Sequence, residues 1–235
     1  MKMITASDGD RFLRDGFLMV RGLFADGEIN ALRSAVNRAS SASHMRGGAR
    51  NLLGTLLEVH QIAHGPALSS VIAPLLKGRP FPVHATLFDK TPGANWLVPW
   101  HQDLTISVVE RRDVEGYGPW SIKAGVIHVQ PPVRIMEGMI SARLHLDACD
   151  ADNGVLRVLP GTHRFGRLDD AAVEDCKRSI APVACTAAAG DVLLMRPLLL
   201  HASSAATNPA HRRVIHIDYA CTPLDGGIEW RHAVQ

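Results

Sequence analysis

From about residue 80 onward, glycine and proline cut the chain into apolar runs of strand length, and this punctuation limits the available folds more than any other feature. The runs lie at 82–88, 105–109, 125–129, 140–146, 155–159, 191–195 and 213–219. Between them stand Thr91-Pro92-Gly93, Gly116-Tyr117-Gly118-Pro119, Pro131-Pro132, Asp152-Asn153-Gly154 and Pro160-Gly161. Glycine admits positive φ and proline presets a turn, so each cluster reverses the chain. Many short strands between turns predict a sandwich or barrel. The first third has a different period. Ile29, Leu32 and Val36 recur at helical steps over 28–38 behind Asp26 as N-cap. Leu53, Leu56, Leu57 and His60 share one face of a helix expected over 51–63. A third helix is expected from Pro66 to Gly78, with Pro74 kinking or shortening it. The expectation is one domain over 1–235: a helical layer roughly over 1–80, packed on a β core roughly over 80–225.

Composition excludes several function classes. The 25 Lys+Arg and 23 Asp+Glu are spread without long runs, and aromatic residues are 5% of the chain. A basic, base-stacking groove for nucleic acid has little to be built from. No run of about 18 apolar residues offers a membrane span, and the opening MKMITASDGD lacks the apolar core of a secretory signal. The four cysteines share no CxxC spacing, so free thiols in a reducing, cytoplasmic setting are expected.

Histidine, at 12 residues, points to the chemistry. Three His-x-Asp triplets occur, at His101/Asp103, His145/Asp147 and His216/Asp218. In a strand, residues i and i+2 share a face, so each triplet can present an imidazole beside a carboxylate. That is two-thirds of the 2-His-1-carboxylate triad that holds non-haem Fe(II). A single triplet is close to chance, so the third ligand decides. Pro197-Leu198-Leu199-Leu200-His201 delivers a histidine after an apolar strand, and Arg212 follows eleven residues later with a fork suited to a carboxylate. For His216 only His232 remains downstream. Arg143, His145 and Asp147 alternate with leucines and read as a polar face lining a pocket beside the site. His101, Asp103 and His201 form the best trio.

Trp100-His101-Gln102-Asp103, then Asn153 to His163, then Gly190-Asp191 leading to His201 and Arg212, resembles the phytanoyl-CoA dioxygenase family. The opening Asp15-Gly16-Phe17-Leu18-Met19-Val20-Arg21-Gly22 is similar too, so the resemblance spans nearly the whole chain. It implies a mainly β fold with flanking helices, whose core is a double-stranded β-helix, a cupin-like jelly roll. It also implies an Fe(II)- and 2-oxoglutarate-dependent dioxygenase that uses O2, releases succinate and oxidises a small molecule. By this resemblance His101, Asp103 and His201 match the iron ligands. Arg212 matches the arginine that pairs with the far carboxylate of 2-oxoglutarate, and Ser203 matches a hydroxyl donor to it. Arg213 is the neighbouring candidate, which family spacing disfavours. His84 stands where related hydroxylases have a glutamine touching the cosubstrate. Asp103 implies hydroxylation, because halogenating relatives lack this carboxylate.

The substrate side is read from residues alone. A lid is expected over 116–123, with Trp120 covering a ligand and Lys123 pairing with an acid group. Arg143, charged on an inward strand position, needs a partner and is a further substrate candidate. Lys90, before Thr91-Pro92-Gly93, reads as turn chemistry, and His163 as structural. Two rival readings remain. One is a jelly-roll protein that binds or senses a small molecule without turnover; the other is a cupin-type metal-dependent isomerase or hydrolase.

Overall fold

The computed structural model describes residues 2–43 and 48–232. In chain order the elements are α1 (Ala6–Asp15), β1 (Phe17–Val20), α2 (Asp26–Ser43), β2 (Gly48–Ala49), α3 (Leu52–Thr55), α4 (Leu57–Ala63) and α5 (Pro66–Leu76). Then follow β3 (Phe81–Lys90), β4 (Val98–His101), β5 (Ile106–Val108), β6 (Trp120–Lys123), β7 (Val126–Val129), α6 (Val133–Glu137) and β8 (Ile140–His145). The last are β9 (Leu156–Val158), α7 (Asp170–Ser179), β10 (Val183–Ala184), β11 (Val192–Met195), β12 (His201–Ser203) and β13 (Arg212–Ala220).

Two antiparallel sheets, in the orders β1-β11-β8-β13-β3-β2 and β10-β9-β12-β4, line one cavity from opposite sides. A hairpin sheet, β5-β7-β6, continues the wall at one end. This is the expected jelly roll. Among the described residues no helix is long and apolar enough to cross a membrane.

Period-two alternation decides what each strand shows to which side. On β13, Ile215, Ile217 and Tyr219 join the apolar cluster formed with the helices, through Phe12, Ile29, Leu32, Leu68 and Ile72. Arg212, His216 and Asp218 therefore face the cavity. On β3 the same split sends Ala85 and Leu87 to the helices and His84, Thr86 and Phe88 inward. Both faces of these strands are covered, which is why β8 and β11 are buried throughout.

Local chemistry fixes the joints. Thr5 and Asp8 form a capping box that starts α1, and Gly16 ends it at φ 81°. Gly190 sits at φ 87°, where a Cβ would lie 2.4 Å from the Phe24 carbonyl oxygen, so only glycine fits. The next residue, Asp191, accepts from Arg21 (2.7 Å), the Gly22 amide (2.7 Å) and the Ala188 amide (2.8 Å), which ties β1 to the start of β11.

Three expectations need correction here. The helix over 51–63 is broken at Leu56, an extended residue at φ −134°. Asp26 begins α2 from inside the helix, while the Glu28 carboxylate accepts from the Ala25 amide. The segment 116–123 is no free lid: its second half is β6, paired with β7 from Trp120 to Lys123.

Candidate metal centre

The trio expected from sequence is assembled. His101 ends β4 and pairs directly with His201 at the start of β12. Their rings are 4.1 Å apart between centroids. Asp103 lies between them, its two oxygens 3.9 Å from His101 Nε2 and 3.7 Å from His201 Nε2. Among the described residues these three are the one group of three or more His, Cys, Asp or Glu whose ligand atoms fall within 4.8 Å of one another.

The surroundings prepare the three side chains for a cation. His101 Nδ1 is 2.8 Å from the Pro99 carbonyl, and His201 Nδ1 is 2.8 Å from the Leu199 carbonyl. A carbonyl can only accept, so both Nδ1 atoms carry the proton and both Nε2 lone pairs are bare. Burial, despite nearby Asp103, lowers His201 to about 4, so its imidazole is neutral near pH 7. Asp103 Oδ2 is buried without a hydrogen-bond partner. A bare carboxylate oxygen facing two bare imidazole nitrogens fits a divalent metal ion and fits little else.

Two features of the local sequence hold the ligands in place. Gln102, between the first two, donates to the Leu198 carbonyl (2.7 Å) and the Gly166 carbonyl (2.8 Å) and accepts from the Leu168 amide (2.9 Å). It fastens the His101–Asp103 segment to the approach of His201, as does the Asp103 amide on the Pro197 carbonyl at 2.9 Å. Behind His201, the Thr162 hydroxyl accepts from the Leu200 amide at 2.9 Å.

One end of the same cavity is cationic. Arg212 is buried, with Nη1 on the Gly154 carbonyl at 2.6 Å and Nε without a partner. Ser203, two residues beyond His201, is 3.1 Å from Lys90 Nζ. Lys90 is fully buried, and it also donates to the Ser204 carbonyl. Burial, with Arg212 nearby, lowers Lys90 to about 8. Lys90 is thus no turn residue: it pairs with Arg212 across β3 and β13, has the strand parity of His84, Thr86 and Phe88, and lies buried behind the cavity-lining Ser203. That shared parity was its signal in the sequence. Arg213 points the other way and is committed to Asp147 by two bonds of 2.8 Å and to Asn37 at 2.9 Å. Asp147 is accordingly drawn to the helical side, away from the pocket face on which alternation had placed it.

The model of the phytanoyl-CoA dioxygenase (PhyH) family matches residues 12–214. The chain belongs to the phytanoyl-CoA dioxygenase family. Its members depend on Fe(II) and 2-oxoglutarate, so these are the cofactor and cosubstrate of this chain. No curated protein matches the sequence. Solved structures share the fold. AviO1 from Streptomyces viridochromogenes Tue57 is 23% identical, over 94% of this chain and 96% of that one, with a TM-score of 0.68. SnoK, a carbocyclase from nogalamycin biosynthesis, is 15% identical over 98% and 88%, at 0.74. EctD from S. alaskensis, with 2-oxoglutarate and 5-hydroxyectoine, is 20% identical over 93% and 76%, at 0.73.

Of the remaining candidates of this family member, His84, Lys123 and Arg143 line a cavity of about 440 Å³. Lys123 lines it, donating to Thr105 at 3.0 Å, and Arg50 stands near it at the wall. Arg143 lines it too, with Nη1 on His216 Nδ1 at 3.0 Å and Nε unpartnered. His84 is opposite Asp218 in register, at the end away from Arg212. Trp120 does not line the cavity. It pairs with Val129, on the alternate face from Lys123 and His128, and stacks under Arg111 at 5.7 Å. Sequence reasoning passed over Gln102, Lys90 and the His216–Asp218 pair, which is hydrogen-bonded at 2.9 Å inside the cavity.

Proposed function

We propose that this oxygenase hydroxylates a small polar substrate carrying an acidic group: R–H, O2 and 2-oxoglutarate give R–OH, succinate and CO2. The reading is carried by one observation: the bare His101–Asp103–His201 trio and Arg212, whose Nε has no partner, line the same cavity. His101, Asp103 and His201 would hold the iron. With 2-oxoglutarate bound, that centre supplies an oxidant strong enough to take hydrogen from a C–H bond. The chain does the rest. Arg212 and Ser203 would seat the far carboxylate of the cosubstrate, with the Lys90 ammonium behind Ser203; among the described residues neither cation has an ion pair with an acidic side chain. Retention of Asp103 supports hydroxylation over halogenation. Arg50 and Lys123 add positive charge at the wall and favour an anionic substituent on the substrate. Cys149, Cys176, Cys185 and Cys221 are all free, in accord with a cytoplasmic setting.

SnoK, named a carbocyclase, has the same fold, so the outcome needs a product measurement. Purified enzyme with Fe(II) and 2-oxoglutarate is screened against small acidic metabolites for succinate, and hits are analysed by mass. Hydroxylation requires one oxygen gained per succinate released. A product that loses two hydrogens and gains no oxygen would redirect the reading to ring closure or desaturation, and no succinate with any substrate class would refute turnover.

A further inference from the structure

At the end of the cavity away from Arg212, hydrogen-bond acceptors accumulate. Arg143 Nη1 is 3.0 Å from His216 Nδ1, and His216 Nε2 is 2.9 Å from Asp218 Oδ1. A guanidinium can only donate. His216 Nδ1 must therefore accept, its proton sits on Nε2, and that proton is given to Asp218. Ser141 donates to the same Asp218 oxygen at 2.6 Å. Both donors converge on Oδ1, leaving Oδ2 to the cavity that Asp218 lines. His128, buried and also lining the cavity, has Nδ1 3.0 Å from the Val126 carbonyl. That nitrogen must donate, so Nε2 is a bare acceptor. His84, across the strand pair from Asp218, meets His128 edge to face with 5.4 Å between centroids.

Position assigns these acceptors to the substrate. Arg212 and Asp218 lie six residues apart on β13, which a strand rise of about 3.3 Å per residue makes roughly 20 Å. A five-carbon diacid anchored at Arg212 is too short to reach Asp218. Charge narrows the chemistry further. The Asp218 carboxylate is already balanced by Arg143 through His216, and Lys123 and Arg50 stand at the same cavity. An ammonium group would meet a net positive surround. Hydroxyl groups donate without charge, and lone pairs facing a cavity are costly unless something donates to them.

We propose that Asp218 and His128, with His84 beside them, form a subsite for adjacent hydroxyls of a polyhydroxylated ring, a sugar or cyclitol, whose acidic substituent faces Lys123 and Arg50. The subsite rests on the oxygenase reading, which brings a small molecule into this cavity.

The test is anaerobic calorimetry on protein loaded with Fe(II) and 2-oxoglutarate. The probes are glucose, myo-inositol, glucuronate, glucose 6-phosphate and, as the ring without hydroxyls, cyclohexanecarboxylate. At least one polyol acid should bind about tenfold or more tightly than cyclohexanecarboxylate. Asp218→Asn and His128→Phe should each weaken that binding by about ten- to a hundredfold, the range for hydrogen bonds to charged or buried partners. His128→Phe keeps a ring of similar size in case Asp218→Asn fails to fold. Equal binding of cyclohexanecarboxylate, no polyol binding, or polyol binding unchanged in both variants would each overturn the subsite. The visible Fe(II)–2-oxoglutarate charge-transfer band separates the two levels. A band without polyol binding rejects the subsite alone, and no band in the wild-type protein rejects the oxygenase reading and the subsite with it.

Discussion

The two ends of the cavity are built from the same strands and oppose each other in hydrogen-bonding sense. Around Arg212 and Ser203 the wall offers donors, with an unpartnered guanidinium nitrogen in it and the fully buried Lys90 ammonium behind Ser203. Around Asp218 and His128 it offers acceptors: Asp218 Oδ1 already accepts from His216 and Ser141, and the His128 Nδ1 proton is committed to the Val126 carbonyl. The His101–Asp103–His201 trio lines the same cavity. A dianionic cosubstrate suits the first end, whose donors face its carboxylate, while the bare acceptors of the second end suit hydroxyl donors. One strand, β13, reads out both functions by alternation, with Arg212 and Asp218 on one face and Arg213 sent to the helices.

The contrast can be broken at the centre first. His101→Ala should lose metal by more than the roughly hundredfold that even an outer partner of a ligand is worth, and turnover with it. Metal analysis after desalting checks this, and a variant retaining full iron would remove the trio as the metal site. At the donor end, the Lys90 ammonium is lowered to about 8 by burial and Arg212. A bound carboxylate favours its charged form, so above pH 8 cosubstrate binding must take up a proton. Affinity for 2-oxoglutarate should then fall by up to about tenfold per pH unit between pH 8 and the pKa of the complex. Lys90→Met should bind more weakly at pH 7 and lose that slope. An unchanged slope would place Lys90 outside the anion seat. The smallest effect belongs to the wall. Lys123→Ala should raise the apparent KM for an acidic substrate by about three- to tenfold, the scale of one partly exposed ion pair, while Trp120→Ala, which removes a ring outside the cavity, should leave it within about twofold. The reverse order would restore Trp120 as the substrate cover and remove Lys123.

How much of this was legible in the sequence depends on the element. The strands at 82–88, 140–146, 191–195 and 213–219 are found within two residues, because each is a continuous apolar or alternating run with glycine or proline within four residues of its start. The trio was legible since His201 arrives by an apolar strand and Arg212 follows it. The break at Leu56 was not, because nothing in Leu53-Gly54-Thr55-Leu56-Leu57 departs from helical periodicity. Lys90 was hidden by the turn that follows it, although two-residue alternation from His84 places it inward. Trp120 and Lys123 were grouped as one loop, and only their pairing with β7 shows that they face opposite sides. The His216–Asp218 pair looked like a chance triplet. Its meaning comes from Arg143 and Ser141 on the neighbouring strand, a contact that no local pattern reports.

The most direct measurement is an anaerobic titration of the Fe(II)-loaded protein with 2-oxoglutarate, read by the visible charge-transfer band, in the wild type, Arg212→Lys and Arg213→Lys. Lysine keeps the charge and loses the two-pronged fork. The band should saturate in the wild type and require about ten- to a hundredfold more 2-oxoglutarate in Arg212→Lys, with Arg213→Lys within about twofold of the wild type. Absence of the band, or a loss of affinity in Arg213→Lys with Arg212→Lys unaffected, would contradict a cosubstrate seat at the Arg212 end of the cavity.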